Sequence, residues 1–155
     1  MKNLLVYPLY KIKDRESEYL NHKINLQKNI EIVEKFACVD EIKVIGSEVN
    51  HWSLMIGDMM EQIYNFNKSG YNVLFSEIDT VFVKQFAEIF SLEKMTMFAR
   101  CNGKSHKDDS LPKGYYLNSG LIYYPSNLDD NTWNLCRDKF KNNNSISFRF
   151  NLPTN

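Results

Sequence analysis

Short apolar runs alternate with longer amphipathic stretches along this chain. Residues 3–7, "NLLVY", form a compact apolar run closed by Pro8, which predicts a first strand. A polar stretch follows, and then Leu20, Ile24, Ile30, Val33 and Phe36 recur at helical spacing, with Ser17 placed to cap the helix they predict. Ile42, Val44 and Ile45, ahead of Gly46, predict a second strand. Asn50 is placed to cap a second helix whose apolar face carries Trp52, Ile56, Met59, Ile63 and Phe66. Gly70 suits the left-handed position that ends such a helix.

Val73, Leu74 and Phe75 are consecutive, as expected of a third strand, over 71–75, that helices cover on both faces. Residues 94–100 and 115–124 predict two more strands, and the segment between them is rich in turn formers and charge. Residues 129–140 begin with acids, end with bases and place Trp133, Cys136 and Phe140 at helical spacing, so a final helix with a favourable dipole pattern is expected there. The closing residues 146–155 read as one further strand. The order β-α-β-α-β, then strands with a later helix, predicts an α/β fold: a mostly parallel sheet between helices. With 155 residues and no linker or repeat, a single domain over 1–155 is expected.

Composition narrows the function more than the fold. A chain of this length buries roughly 70% of its unfolded surface, enough for one core, and 43% hydrophobic with 25% charged residues is ordinary for a soluble protein. Lys plus Arg equals Asp plus Glu at 19 each, which argues against broad nucleic-acid binding through phosphate neutralisation. Cys38, Cys101 and Cys136 form no CxxC pair, so neither a zinc site nor a disulfide framework is indicated. Reduced thiols and a cytoplasmic location are the expectation. The N-terminal apolar run is too short for a signal peptide before Lys11 and Lys13, and nothing approaches the roughly 20 apolar residues of a membrane span.

Glu77 and Asp79 interrupt the third strand's apolar run with one residue between them. In an open α/β sheet, ligands collect outside the carboxyl ends of the strands. In an extended segment, residues two apart point to the same side, about 6.5 Å apart along the chain, and Ile78 would face apolar surroundings. Two close acids repel and raise each other's pKa unless a cation intervenes. Hard oxygen ligands select Mg²⁺ or Mn²⁺, with positions left for phosphate oxygens. The plainer reading is a pair of solvated loop acids or caps; the apolar strand before them and "TVFVKQF" after them favour the metal.

Other residues carry similar pairs of readings. Asn118 and Ser119 precede Gly120: the Asn amide can donate to and accept from the hydroxyls of a ligand while Gly120 admits that ligand to the backbone, or the segment is a β-bulge. Arg100, at the end of its strand, is either a solvated residue or a two-pronged contact to phosphate. His106, in the charged loop with Asp108 and Asp109, is either a solvated residue or a further metal ligand. Trp52, Met55, Met59 and Met60 read as core packing.

The segment "GYNVLFSEIDTVFVKQ" resembles the metal-binding segment of GT-A-type glycosyltransferases, in which a strand delivers an Asp-x-Asp motif and continues apolar. "YYLNSGLIYYP" is similar to the Asn-x-Gly strand that follows that motif in several such families. The resemblance covers roughly residues 3–142 as a coarse pattern. It implies a Rossmann-like GT-A sandwich and transfer of a sugar from a nucleotide-diphosphate sugar to an acceptor hydroxyl, with a divalent metal (Mn or Mg) held by Asp79 and Glu77. Glu77 departs from the usual first Asp by one methylene. The resemblance further implies donor contacts from Asn118, Ser119 and Arg100, and a nucleobase pocket where Tyr7 and Leu9 leave the first strand. Tyr7 is either an aromatic that stacks on the base or a core residue. Family members generally continue further, into acceptor-binding segments, so an acceptor region missing from the C-terminal side is expected. That departure motivates the alternative of a non-catalytic nucleotide-sugar-binding or interaction module. A nucleotidyltransferase is disfavoured because residues 7–17 contain no glycine for a phosphate loop. Donor sugar, nucleobase, stereochemical outcome and oligomeric state are left open by the sequence.

Overall fold

This computed structural model describes residues 1–101 and 115–134, apart from the side chains of 52–53, 98–101 and 115–119. Strand β1 (Lys2–Pro8) runs into a short β2 (Lys11–Ile12), and helix α1 (Glu16–Phe36) follows. Then come β3 (Glu41–Ile45), β4 (Glu48–Val49), α2 (Trp52–Lys68), β5 (Tyr71–Ser76), a 3-10 turn at Ala87–Ser91, β6 (Thr96–Cys101) and β7 (Tyr115–Tyr124). Residues 130–134 are helical, in the first part of the expected final helix. The expected strand over 146–155 lies outside the described residues, as do His106, Asp108 and Asp109.

The five-stranded sheet has the order β3-β1-β5-β7-β6. β1 pairs in parallel with both β3 and β5, while β7 runs antiparallel to β5 and to β6. Four strands therefore point one way and only β7 is reversed. This is the α/β, Rossmann-like arrangement expected. The connection through α1 carries the chain to one side of β1, and the connection through α2 carries it back across to the other. Right-handed crossovers then put the two helices on opposite faces.

Alternation within the apolar runs confirms two covered faces. Leu4, Val6, Val73, Phe75 and Tyr124 pack with Met60 and Ile63 of α2 and with Trp133. Leu5, Tyr7, Leu74 and Tyr123 pack with Leu26 and Val33 of α1. A strand buried on both sides has no polar face to show, which is why Val73, Leu74 and Phe75 are consecutive.

Several local expectations change. α1 begins at Glu16 with Arg15 at its cap position and no side-chain cap bond, so Ser17 lies inside the helix. Its buried stripe is Leu26, Asn29 and Val33, and Leu20 and Ile24 are half exposed on the outer face. α1 lies beside β2 of the small two-stranded sheet. α2 starts at Trp52, so His51 rather than Asn50 precedes it. Gly70, at φ 89°, takes the left-handed position expected of it. The fourth predicted strand starts two residues later, at Thr96.

The polar stretch after β1 is more ordered than its composition implies. β1 and β3 stay paired beyond their ends through Leu9 N–H to the Ile45 carbonyl (2.7 Å), and the pairing resumes as β2 with β4. Gly46 permits this: a Cβ there would lie 1.9 Å from the Leu9 carbonyl oxygen. Tyr10 ties the ribbon to α2 by donating its hydroxyl to Asp58 Oδ2 at 2.7 Å, an oxygen that also accepts from Gln62 Nε2.

Candidate functional site

The sheet reverses its winding between β1 and β5, so their carboxyl ends form the switch point at which open α/β sheets take ligands. β5 ends there at Ser76, and Glu77–Thr80 close a tight turn through Thr80 N–H to the Glu77 carbonyl at 3.1 Å. The acid-x-acid pair thus lies on a turn, and the extended geometry expected for it does not hold. The pairing of β5 with β7 gives way to contacts that curl the chain.

Three of those contacts hold the turn. Glu77 N–H donates to the Gly120 carbonyl of β7 at 2.7 Å. Asn29, reaching from α1, donates its amide to the Ile78 carbonyl at 2.5 Å and the Thr80 carbonyl at 3.3 Å. Ile78 packs into the core on the α1 side, as expected of it, and the following Phe82 and Phe86 are buried in the same cluster with rings stacked at 4.1 Å. The backbone beneath the acids is therefore anchored by apolar burial on one side and by two strands and a helix on the others.

The carboxylates themselves are differently placed. Asp79 is exposed and Glu77 half-buried. Loss of water raises the Glu77 carboxyl above the usual carboxylate range, and the negative charge of Asp79 raises it further. Among the described residues neither acid is paired with Lys or Arg. This donor set fits a hard divalent cation: two carboxylates that repel each other and lack a cationic partner gain most from one. No group of three or more His, Cys, Asp or Glu that could hold a metal is found among the described residues. A pair of carboxylates is a sparse donor set, of the kind Mg²⁺ commonly completes with water and substrate phosphate.

The remaining predicted residues fall into two groups. β7 passes directly beside the turn, with Ser76 opposite Leu121 and Asn118 opposite Phe98 of β6. The β6–β7 register shifts between Met97 and Phe98, where Met97 pairs with Ile122, so Ser119–Leu121 bulge out of the ladder. Ser119 therefore enters the irregular segment whose Gly120 carbonyl holds Glu77, and Asn118 is the paired residue just before it. Arg100 sits opposite Tyr116 near the carboxyl end of β6, which points the same way as β5. Leu9 lies on the ribbon just past the carboxyl end of β1, half-buried.

Tyr7 goes to the other of its two readings. It is completely buried, packed among the side chains facing α1, and its hydroxyl has no hydrogen-bond partner among the described residues. Burial pushes that hydroxyl's pKa up. A ring enclosed in this way has no face left for a nucleobase.

Asn29 is the site-adjacent residue that sequence reasoning missed. Its signal is a polar residue on the buried stripe of α1, at i+3 from Leu26 and i−4 from Val33, where an apolar residue fits the pattern.

The sequence of residues 38–144, which contains the acid turn and both strands beside it, matches the family described as nucleotide-diphospho-sugar transferase. The chain belongs to that family. No curated protein matches it in a sequence search. The family is described by a nucleotide-diphospho-sugar donor, and the matched segment includes the acid turn. No helix among the described residues is long and apolar enough to cross a membrane.

Proposed function

We propose that this nucleotide-diphospho-sugar transferase binds its donor at the carboxyl edge of the sheet and transfers the sugar to an acceptor hydroxyl, with Mg²⁺ or Mn²⁺ held by Asp79 and Glu77. The observation that carries this reading is the pair of uncompensated carboxylates on a clamped turn at the switch point between β1 and β5. The exposed Asp79 is the principal ligand, and Glu77, half-buried behind it, adds charge at the metal or reaches the donor ribose. Bound there, the dication would offset the charge that builds on the diphosphate as the bond to the sugar breaks.

The chain's other residues bind and orient. Asn118, just before the bulge beside the turn, and Ser119, within it, are suited to sugar hydroxyls, because an amide and a hydroxyl each both donate and accept. Arg100, on the parallel strand beyond, is suited to the donor phosphates. Leu9, past the end of β1, lines the nucleobase side in place of the buried Tyr7.

Calorimetric titration of uridine- and guanosine-diphosphate sugars, with and without Mn²⁺, tests the reading. Wild-type protein is expected to bind one donor in a Mn²⁺-dependent way, and Asp79→Ala to lose that dependence. Mn²⁺-independent binding, or an unchanged titration in Asp79→Ala, overturns it. A transfer assay with the donor so identified then separates an active enzyme from a binding module.

A further inference from the structure

We propose that Asn29 of α1 is the positioning residue of the acid turn: its buried amide, bonded to the carbonyls of Ile78 and Thr80, sets the direction of Asp79 and through it the affinity for the divalent cation. The inference rests on the metal-binding reading above.

Asn29 is 5% exposed, so its amide has left water, and both of its protein partners belong to the turn. The two accepting carbonyls bracket Asp79: one belongs to the peptide unit entering it, the other to the unit after Thr80. Fixing those two peptide planes leaves little freedom to the residues between them, and the Cα–Cβ direction of Asp79 is fixed with it. The Glu77-to-Gly120 bond sets the start of the turn, and the Thr80-to-Glu77 bond engages the peptide unit between Asp79 and Thr80. Neither takes the carbonyls of Ile78 and Thr80, the peptide units on either side of that one, and Asn29 does.

Packing alone does not account for an asparagine there. Asn is a poor mid-helix residue because its side chain competes for backbone groups. Its neighbours on the buried stripe are Leu26 and Val33. A leucine at 29 would continue that stripe but leave two turn carbonyls without their donor. Unlike the buried Asn67, whose partners lie at the opposite end of the sheet, Asn29 directs its amide to the backbone that carries the acids; where a residue orients a metal ligand, its substitution commonly weakens affinity about 10–100-fold. Asn29 also lies outside the segment matched to the family, residues 38–144, so the proposed support comes from a part of the chain that the match does not include.

Mn²⁺ binding to the full chain, followed by the loss of the free-ion electron paramagnetic resonance signal, provides the test, with thermal melts run in parallel. Asn29→Leu and Asn29→Ala are expected to weaken Mn²⁺ binding about tenfold or more, and whichever of them folds is sufficient. Asn29→Gln, which keeps the amide donor, is expected to recover part of the loss. Leu26→Ala supplies the control: it destabilises the same helix face and the cluster beneath Ile78 but removes none of the turn's hydrogen bonds, and it is expected to keep Mn²⁺ affinity within about twofold of wild type. Unchanged affinity in a folded Asn29 variant, or an equal loss in Leu26→Ala, overturns the proposal while leaving the metal reading in place. Absence of saturable Mn²⁺ binding in wild type, or binding indifferent to Asp79→Ala, sinks both.

Discussion

Replacing Asn67 by Leu removes a buried polar hub while keeping a side chain of similar size. Asn67 is 1% exposed near the end of α2. Its amide donates to the carbonyls of Pro125 (2.8 Å), Tyr71 (3.3 Å) and Tyr124 (3.4 Å), and its oxygen accepts from Trp133 Nε1 at 3.2 Å. Helix, strand ends and the final helix meet at this one side chain. Leucine would leave at least the Pro125 carbonyl and the Trp133 indole N–H without a partner in a dry setting. Each orphaned group costs about 1–3 kcal/mol, so the change should destabilise by roughly 2–6 kcal/mol. A melting entropy of about 2.1 cal/mol/K per residue gives about 0.33 kcal/mol/K for this chain, and Tm should fall by roughly 6–18 °C. Circular dichroism melts and urea titrations of the two proteins measure this directly. The hub lies at the end of β5 and β7 opposite to the acid turn, because β7 runs antiparallel. Mn²⁺ and donor titrations well below the melting range should therefore be unchanged. A fall of less than about 2 °C would refute the assignment of the hub's bonds as stabilising, and a loss of donor affinity at low temperature would refute its separation from the site.

Three further outcomes are expected. Glu77→Gln should stabilise the metal-free protein at neutral pH: the folded carboxyl pKa is raised, so wild-type stability declines as pH rises from the unfolded to the folded pKa, and the variant escapes that decline. Urea titrations should show its advantage vanish below the unfolded pKa, and an advantage that persists there refutes the cause. Gly46→Ala forces a Cβ against the Leu9 carbonyl oxygen and should cost about 1–3 kcal/mol, a fall in Tm of roughly 3–9 °C; an unchanged melt would show that the ribbon gives way freely. Asp129 accepts from the Thr132 N–H (2.9 Å) and hydroxyl (2.8 Å) at the start of the final helix, and these bonds hold its carboxyl below the usual range. Asp129→Ala should therefore lower Tm at pH 7, with the difference from wild type shrinking as pH falls through the folded pKa of Asp129; a constant difference across pH excludes the cap as its origin.

The alternation of apolar runs with amphipathic stretches was enough to settle the α/β class, the order of the main elements and the strands buried on both faces. Burial is a local demand: a residue facing a helix from a sheet must be apolar whatever lies further along the chain, so Val73–Phe75 and the Met60–Ile63 face of α2 announce themselves. Gly70 was legible for the same reason, since a left-handed position restricts the residue type at that position alone. The acids Glu77 and Asp79 were legible because charge at the end of an apolar strand breaks the pattern. Their geometry was not, because whether a chain stays extended or curls depends on which groups take its hydrogen bonds, and here those are Asn29 and Gly120 from 48 residues before and 43 residues after Glu77. Tyr7 was legible as a core residue, the commoner fate of an aromatic, but a base pocket stayed open to it as well, and the packing of α1 with Phe82 and Phe86 decides for the core. Sequence pattern fixes what each segment must hide; only the folded chain decides which distant groups meet, because such meetings depend on crossovers and register that no local spacing encodes.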